Sequence, residues 1–468
     1  MNNEIYVNCD THIRYVNNRI LIFNGSLNAF PMTVNAELLK LLLVLTENNQ
    51  LCDIKNEMLN RYSIEHSDTE TFIQLLTPYI TDNPCRQNYK LSAELRRTLN
   101  DYKARENVLR KSNHIIPKKS KPDLLSITVT KKCGRRCVYC FAADEDAIGE
   151  ELCHMDLKLF ESIIDQAETL GIKHIELTGG DPFALTNINE YVDYVIKHGM
   201  ECFLSTKNLV GPDMVRKLYD AGLREIQISL DSCEERLADE LMGVRGAYNQ
   251  IIQSIRNFKN MGFKITVRCV ILKQNIGGIP ELIKLCEKLH VDVISFNLYG
   301  MSCGRHDSAF FASKDEIIHL TNKIDELKKQ CFNLHIDYAS KVILQYVKSR
   351  SYSMEYKHYS RGICGAMTNS MIIRSDGKVT YCANLMYLDE MIVGDLTKQS
   401  IMNVWSESSY KKLTAPDRKK FEGTQCASCD SFDYCINKRC YFRVWLAYRK
   451  LYDKDPMCKY GIKDFQTY

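Results

Sequence analysis

The sequence predicts an α/β protein: an open, partial (β/α)6 barrel of the TIM-like kind, with a small winged-helix-like unit before it and a cysteine-rich extension after it. Three observations predict this. From Leu124 onward, β-branched apolar runs alternate six times with helical stretches, and such alternation argues for a parallel sheet with right-handed crossovers. Ahead of it lies a hairpin pattern followed by three helical ones. Behind it, seven cysteines crowd the last quarter of a 468-residue chain. Six units fall short of a complete eight-unit barrel, so the sheet is expected to stay open. The expected divisions are residues 1–95, a 96–122 linker, 123–335 and 336–468.

Composition narrows the class. Apolar content of 45% and charged content of 26% are ordinary for a globular protein. A net charge of +4 is too small to argue for a nucleic-acid or membrane partner. The amino terminus lacks the basic-then-apolar pattern of a secretory signal, and no apolar run reaches a membrane span. The expectation is a cytoplasmic protein, where thiols stay reduced. There, 20 cysteines point to metal or redox chemistry rather than to disulfides.

In residues 1–95, Ile13 to Phe23 holds two β-type runs around Asn17-Asn18, a hairpin signal. Helical stretches follow at Asn35–Thr46, Cys52–Tyr62 and about Asp68–Ile80, and Leu39, Leu42, Leu43 and Leu45 give the first an apolar face. A DNA-binding winged helix is one reading, but no Lys/Arg-rich recognition helix is visible. A packing or dimerisation unit is another. Residues 93–122 are charged and end in a proline-bounded basic loop, which reads as a solvated connector.

The expected barrel strands are Leu124–Thr130, His174–Thr178, Glu201–Ser205, Glu225–Leu230, Lys264–Leu272 and Asp292–Leu298. Helices are expected at Leu157–Thr169, Pro212–Ala221, Tyr248–Met261, Ile279–Leu289 and Lys314–Lys329. In such sheets the chemistry sits at the carboxyl ends of the strands. After the first strand comes Cys133, Cys137 and Cys140, a C-x3-C-x2-C loop. Three thiolates on one loop can hold three irons of a 4Fe–4S cluster and leave the fourth open to a small molecule. A zinc site or three buried cysteines are the alternatives, although structural zinc usually takes four ligands in separated pairs.

With aromatic Tyr139 before its last cysteine, the loop resembles that of the radical S-adenosylmethionine superfamily. Thr178-Gly179-Gly180-Asp181-Pro182 after the second strand resembles its GGEP-type motif, with Asp in place of Glu. The resemblance implies that Cys133, Cys137 and Cys140 hold a cluster that cleaves S-adenosylmethionine. It implies that the glycine backbone approaches the methionyl amino group, where a side chain would be in the way. It also implies cofactor contacts at Ser205 and Lys207, at Ser229 and Asp231, at Arg268 for the methionyl carboxylate, and at Tyr139 beside the adenine. A barrel-interior ion pair is the other reading of Arg268. Lys131, Lys132, Arg135 and Arg136 read as solvated and receive no role.

Cys364, Gly377 and Cys382 form C-x12-G-x4-C, and Cys426, Cys429, Cys435, Cys440 and Cys458 follow. This resembles the SPASM extension, which implies two auxiliary 4Fe–4S clusters and three clusters in all. Cys364, Cys382 and Cys440 would hold the first; Cys426, Cys429, Cys435 and Cys458 would hold the second. One departure is visible: four residues separate Cys435 from Cys440, where the family usually has three. With three ligands against four, the first auxiliary cluster is expected to have an open iron, a natural seat for a substrate thiolate. A zinc ribbon at Cys426-x2-Cys429 is the alternative.

The first 95 residues resemble the PqqD-like peptide-recognition domains, so the hairpin edge would take a leader peptide as an added strand. Together these resemblances imply a maturase of ribosomally made precursor peptides, supplied with electrons by a flavodoxin or ferredoxin. Thioether formation is the favoured product. Carbon–carbon or carbon–oxygen cross-linking is the next. A sulfatase-maturase-like oxidation fits less well, because Ala383 stands where those relatives carry an Asp base. An iron–sulfur redox sensor that binds DNA is the alternative from another class, and it predicts strongly salt-dependent DNA binding. No catalytic base is assignable.

Overall fold

The structure, a computed structural model, describes residues 5–7, 11–16, 19–24, 32–34, 36–62, 64, 66–76, 79–81, 95–96, 119–141, 154–330, 333–340, 343–344, 364, 366, 368–406, 412–436 and 438–462. The chain divides into two compact units: Met1–His114 with Lys341–Ser353, and Ile115–Ser340 with Met354–Tyr468. The Asn17-Asn18 turn, most of the expected linker, Cys331 and the stretch 352–363 lie outside the described residues.

In the first unit, β1 (Tyr6–Val7) pairs antiparallel with β5 (Ile80–Thr81), while β2 (Thr11–Val16), β3 (Arg19–Asn24) and β4 (Met32–Val34) form an antiparallel sheet. Helices α1 (Ala36–Glu47), α2 (Leu51–Tyr62) and α3 (His66–Leu75) follow the sheet. Leu39, Leu42, Val44, Ile54, Met58 and Phe72 form the core, each worth about 1.5–3 kcal/mol when withdrawn from water. The third helix stops at Leu75 rather than near Ile80, and Ile80–Thr81 is strand instead. Pro78 explains this: proline disfavours helix in the residue before it and cannot donate to a helical ladder.

The second unit is built on one ten-stranded sheet. Its middle is β6 (Leu124–Thr130), β7 (His174–Gly179), β8 (Glu201–Thr206), β9 (Glu225–Ser229), β10 (Lys264–Ile271) and β11 (Val293–Leu298), all parallel and in sequential order. Helices α4 (Leu157–Thr169), α5 (Ile188–Lys197), α6 (Pro212–Asp220), α7 (Glu235–Met242), α8 (Ala247–Asn260), α9 (Ile279–Lys288) and α10 (Lys314–Leu327) lie between or after the strands. Local signals set their starts. Asp156 caps α4 by accepting from Lys158 N and Leu159 N, and Ser313 with Glu316 forms a reciprocal capping box on α10.

The sheet continues past both ends of the six-strand series. β12 (His335–Asp337) adds in parallel to β11, and β13 (Ser370–Ile373) adds in parallel to β6. β14 (Lys378–Thr380) and β15 (Ile392–Asp395) complete it antiparallel. The cysteine-rich extension therefore begins inside the barrel's own sheet. Three short helices, α11 (Ile401–Trp405), α12 (Phe432–Ile436) and α13 (Tyr441–Tyr448), carry its remainder. No helix among the described residues is long and apolar enough to cross a membrane.

The two faces of the parallel sheet differ. Ile127, Leu177, Leu204, Ile228, Val267 and Ile294 are buried on one face. On the other, register aligns Ser126, Glu176 and Phe203 across β6–β8, and Ser229, Arg268, Ser295 and Asp337 across β9–β12. Glu176, Phe203, Arg268 and Asp337 are exposed there. Hydrogen bonds link Ser126 Oγ to Glu176 (2.7 Å) and Ser295 Oγ to Asp337 (3.0 Å).

Candidate active site

The three-cysteine loop leaves the carboxyl end of β6 and is tied down from distant parts of the chain. Arg136 N donates to Met242 O (2.9 Å) and Val138 N to Leu241 O (3.0 Å), so the end of α7 holds the loop's middle. Gly243, at φ +66°, lies where an added Cβ would sit 2.5 Å from Arg136 O, and only glycine suits both demands. Arg305 N donates to Cys140 O (3.1 Å), and its guanidinium to Cys137 O (3.2 Å).

Arg135 corrects the expectation of a solvated side chain. It is buried, with Nε donating to Lys207 O (2.7 Å) and Nη2 to Gln250 Oε1 (2.7 Å). Burial lowers its pKa, and the nearby Asp181 and cysteines oppose that. A buried guanidinium is tolerated only where acceptors are ready, and carbonyl and amide oxygens supply them here.

Cys133, Cys137 and Cys140 lie within one another's electrostatic field. Burial pushes Cys133 up to about 11 and raises Cys137, and the neighbouring thiols push both the same way. Cys137 is buried, Cys140 half-buried and Cys133 exposed, and three thiolates this close repel one another unless a cationic centre joins them. The donor set therefore suits an iron cluster, whose irons are held by thiolate sulfur.

At the end of β7, the two glycines serve backbone proximity. An added Cβ on Gly179 would meet Thr130 O at 2.0 Å, and one on Gly180 would meet Lys132 O at 2.3 Å and Lys131 O at 2.5 Å. Gly180 N donates to Thr130 O (2.9 Å) and Asp181 N to Lys132 O (2.9 Å). The motif thus lies directly against the base of the cysteine loop. The Asp181 carboxylate is buried and accepts from Phe183 N (3.0 Å), Thr206 Oγ1 (2.9 Å) and Lys207 N (2.8 Å). Burial pushes its carboxyl up, against the pull of these donors. Asp181 is a clamp between β7 and β8, and Pro182 opens the short turn that follows. Thr178, half-buried, faces Thr128 across the β6–β7 pair.

Lys207, Asp231 and Tyr139 form one network. Lys207 Nζ reaches Asp231 Oδ2 at 2.8 Å and approaches Cys137 Sγ at 3.9 Å. Tyr139 donates its hydroxyl to the same Asp231 oxygen, and Lys207 Nζ also donates to that hydroxyl. Asp231 Oδ1 accepts from Val270 N (2.8 Å). Burial works to lower Lys207, but the charges of Asp231, Tyr139 and Cys137 outweigh it and hold the ammonium well above its ordinary value. The Tyr139 ring packs beside Leu241, Leu272 and Tyr299. Asn275 braces the network from below by donating to Asp231 O (2.7 Å) and Val270 O (2.8 Å).

Ser205 pairs with Gln227 in the β8–β9 register, while Ser229 and Arg268 are partners on the polar sheet face. Arg268 is exposed, and among the described residues no carboxylate pairs with it at ion-pair distance. Arg135, Asn275 and Arg305 had no local signal in the sequence. Each has a partner dozens to more than a hundred residues away, and no motif records them.

The later cysteines form two groups. Cys364, Cys382 and Cys440 act on one another electrostatically, and burial pushes Cys382 up to about 12. Cys440 opens α13, and its N–H is held by Asp455 Oδ2 (3.1 Å). Cys426, Cys429, Cys435 and Cys458 line one cavity with Phe421, Phe432 and Arg439. Burial raises Cys426, and the Arg439 charge pulls it down. Asp455 is fully buried, pairs with Arg443 (3.0 Å), and its carbonyl accepts from Cys458 N (2.9 Å). It therefore ties one group to the other. Among the described residues no three His, Cys, Asp or Glu side chains converge on one point as ligands of a single ion would. Thiolates that each take a different iron of a cluster stand farther apart than the ligands of one ion.

Comparison with known proteins agrees with this geometry. The radical SAM superfamily model matches residues 127–286, and an iron–sulfur cluster-binding SPASM domain model matches residues 364–430. The chain is 23% identical over 352 residues to an AdoMet-dependent heme synthase of Methanosarcina barkeri, covering 72% of this chain and 97% of that one. It is 23% identical over 313 residues to a PqqA peptide cyclase of Granulibacter bethesdensis, covering 64% and 78%. Among solved structures, Streptococcus suis SuiB bound to its precursor peptide SuiA matches with a TM-score of 0.56 at 17% identity, covering 97% of this chain and all of that one.

Proposed function

The chain is a radical SAM protein with a SPASM extension, and from that premise we propose that it matures a ribosomally made precursor peptide by forming a thioether between a cysteine sulfur and a carbon. The observation that supports a peptide substrate best is the separate unit of antiparallel sheet and three helices ahead of the barrel, read as a leader-peptide binder. The likeness to SuiB, whose structure was solved with its precursor peptide, extends over 97% of the chain. Tethering a leader there raises the effective concentration of the core peptide near the barrel.

Cys133, Cys137 and Cys140 would hold the cluster that binds S-adenosylmethionine. When bound, that pair supplies a carbon-centred radical able to take hydrogen from an unactivated C–H bond. The chain's own residues do the rest. Tyr139, Lys207 and Asp231 fix the loop's third side against β9 and β10. Gly179 and Gly180 let the end of β7 lie against the cysteine loop, where a side chain would strike Thr130 O and Lys132 O, and Thr178, Ser205, Ser229 and Arg268 would rim the site. The polar face with Ser126–Glu176 and Ser295–Asp337 would receive the core peptide and hold it out of bulk water. Cys364, Cys382 and Cys440 would leave one iron of the first auxiliary cluster for the substrate thiolate. Cys426, Cys429, Cys435 and Cys458 would complete the second. A flavodoxin or ferredoxin would supply the electron.

Thioether closure removes two hydrogens from the peptide and consumes one thiol. The test is anaerobic reconstitution, reduction, and addition of S-adenosylmethionine with the precursor. The expected result is 5′-deoxyadenosine, and a product lighter by two hydrogens with one fewer alkylatable thiol. Absence of 5′-deoxyadenosine, with or without peptide, sinks the reading. The likeness to a PqqA peptide cyclase favours a second reading, a cross-link without sulfur; its mark is the same mass loss with every thiol still alkylatable.

A further inference from the structure

We propose that Arg439 donates its Nε–H to sulfur of the auxiliary cluster held by Cys426, Cys429, Cys435 and Cys458, and thereby sets that cluster's reduction potential. The inference rests on those four cysteines holding a cluster. Arg439 is 5% exposed. Its Nη2 donates to Leu451 O, while its Nε is buried without a hydrogen-bond partner among the described residues. Among the described residues no carboxylate stands within ion-pair distance of it. The guanidinium is held between aromatic rings, 4.9 Å from the Phe421 centroid and 5.2 Å from that of Tyr441. It lines the same cavity as the four thiols.

A buried guanidinium without a counter-ion, and with one N–H unmatched, is expensive. Aromatic faces return only a fraction of that cost. An acceptor of net negative charge in the cavity resolves both defects at once. A cluster with four thiolates is such an acceptor, and it gains a further negative charge on reduction. Hydrogen bonds to its sulfurs and nearby charge are the protein's means of tuning potential. A fixed cation that donates to sulfur favours the reduced form, so it makes this cluster a better electron acceptor.

The placement adds a second consequence. Arg439 directly precedes Cys440, the ligand assigned to the other auxiliary cluster. It lies in the interval that is one residue longer than the family pattern. Its side chain turns to one cysteine group while the next residue serves the other. Asp455 holds Cys440 N and Cys458 N from its own side chain and carbonyl. Tuning by Arg439 therefore acts on the second cluster, and the first feels it only through distance.

The experiment uses the full chain with Cys133, Cys137 and Cys140 replaced by alanine, so that only auxiliary signals remain. Iron content and EPR-monitored redox titration are compared for Arg439, R439K and R439Q. We expect R439Q to shift one of the two auxiliary signals to a more negative potential and leave the other nearly unmoved. R439K, which keeps the charge but lacks the planar fork, recovers part of the shift. In parallel, protein labelled with 15N-arginine but otherwise unsubstituted at position 439 should show nitrogen coupling to one reduced auxiliary cluster. Unchanged potentials at full iron content overturn the proposal, as do equal shifts of both signals. Absent nitrogen coupling also overturns it, whether or not the variants fold. Iron sufficient for only one auxiliary cluster in the Arg439-containing protein would instead overturn the assignment of the four cysteines.

Discussion

Removing the charge of Asp231 strands Lys207. Lys207 Nζ stands 2.8 Å from Asp231 Oδ2, with lysine and aspartate side chains 17% and 2% exposed. Breaking a buried pair by neutralising one partner costs about 3–5 kcal/mol. Lys207 keeps some access to water, so the lower end applies to D231N. The asparagine Oδ1 still accepts from Val270 N, so the β10 backbone keeps its bond. K207M is milder, because Tyr139 and Val270 N continue to donate to the aspartate. The double variant D231N/K207M removes both charges and leaves the backbone bond in place, so it should be more stable than D231N alone. The assay is native-state hydrogen exchange of the β10 segment in each of the four proteins. About 3 kcal/mol at D231N corresponds to roughly a hundredfold faster exchange, and adding K207M should slow it again. If the double variant exchanges as fast as the sum of the single effects demands, the pair is not what holds this network. The sign with pH is fixed too. The folded Lys207 value lies above its ordinary one, so the pair's contribution is whole below about pH 10.4 and disappears as pH rises through the folded value.

Three further outcomes are expected. G180A forces a Cβ to within 2.3 Å of Lys132 O; relief must move the cysteine loop, so stability falls by about 1–3 kcal/mol and S-adenosylmethionine cleavage is lost, read by calorimetry and 5′-deoxyadenosine yield. D455N removes the carboxylate that pairs with Arg443 and weakens the hold on Cys440 N, so iron content after reconstitution should drop while the Cys133–Cys140 cluster signal persists. T397V removes the hydroxyl that, first among several donors, keeps the Asp395 carboxyl below its usual range. Its stability deficit should be present above about pH 3.9 and shrink as pH falls through the folded value, read by thermal melts across acid pH.

Strand after strand was legible because burial follows a period the sequence displays. Leu124–Thr130 and Leu157–Thr169 occupy the residues their patterns predict. The cysteine loop and Gly179-Gly180 were legible because their chemistry admits few residue types. What escaped had no local signature. β12 and β13 are short and join the sheet only through partners far along the chain. Strands of three and four residues have too little pattern to stand above their surroundings.

Asp181 shows the limit most clearly. It closes the Gly-Gly-Asp motif, and its carboxylate is occupied by Phe183 N, Thr206 Oγ1 and Lys207 N. A motif position reports that a residue matters, not which neighbour it serves. The same holds in reverse for Arg135, which charge alone assigned to solvent. Lys207 O accepts from Arg135, Lys207 N donates to Asp181, and Lys207 Nζ binds Asp231. One residue at the end of β8 thus joins the cysteine loop, the Gly-Gly-Asp turn and the end of β9. Displacing Lys207 would disturb three strand ends together, and that coupling explains why the loop can be held firmly with only two short motifs visible in the chain.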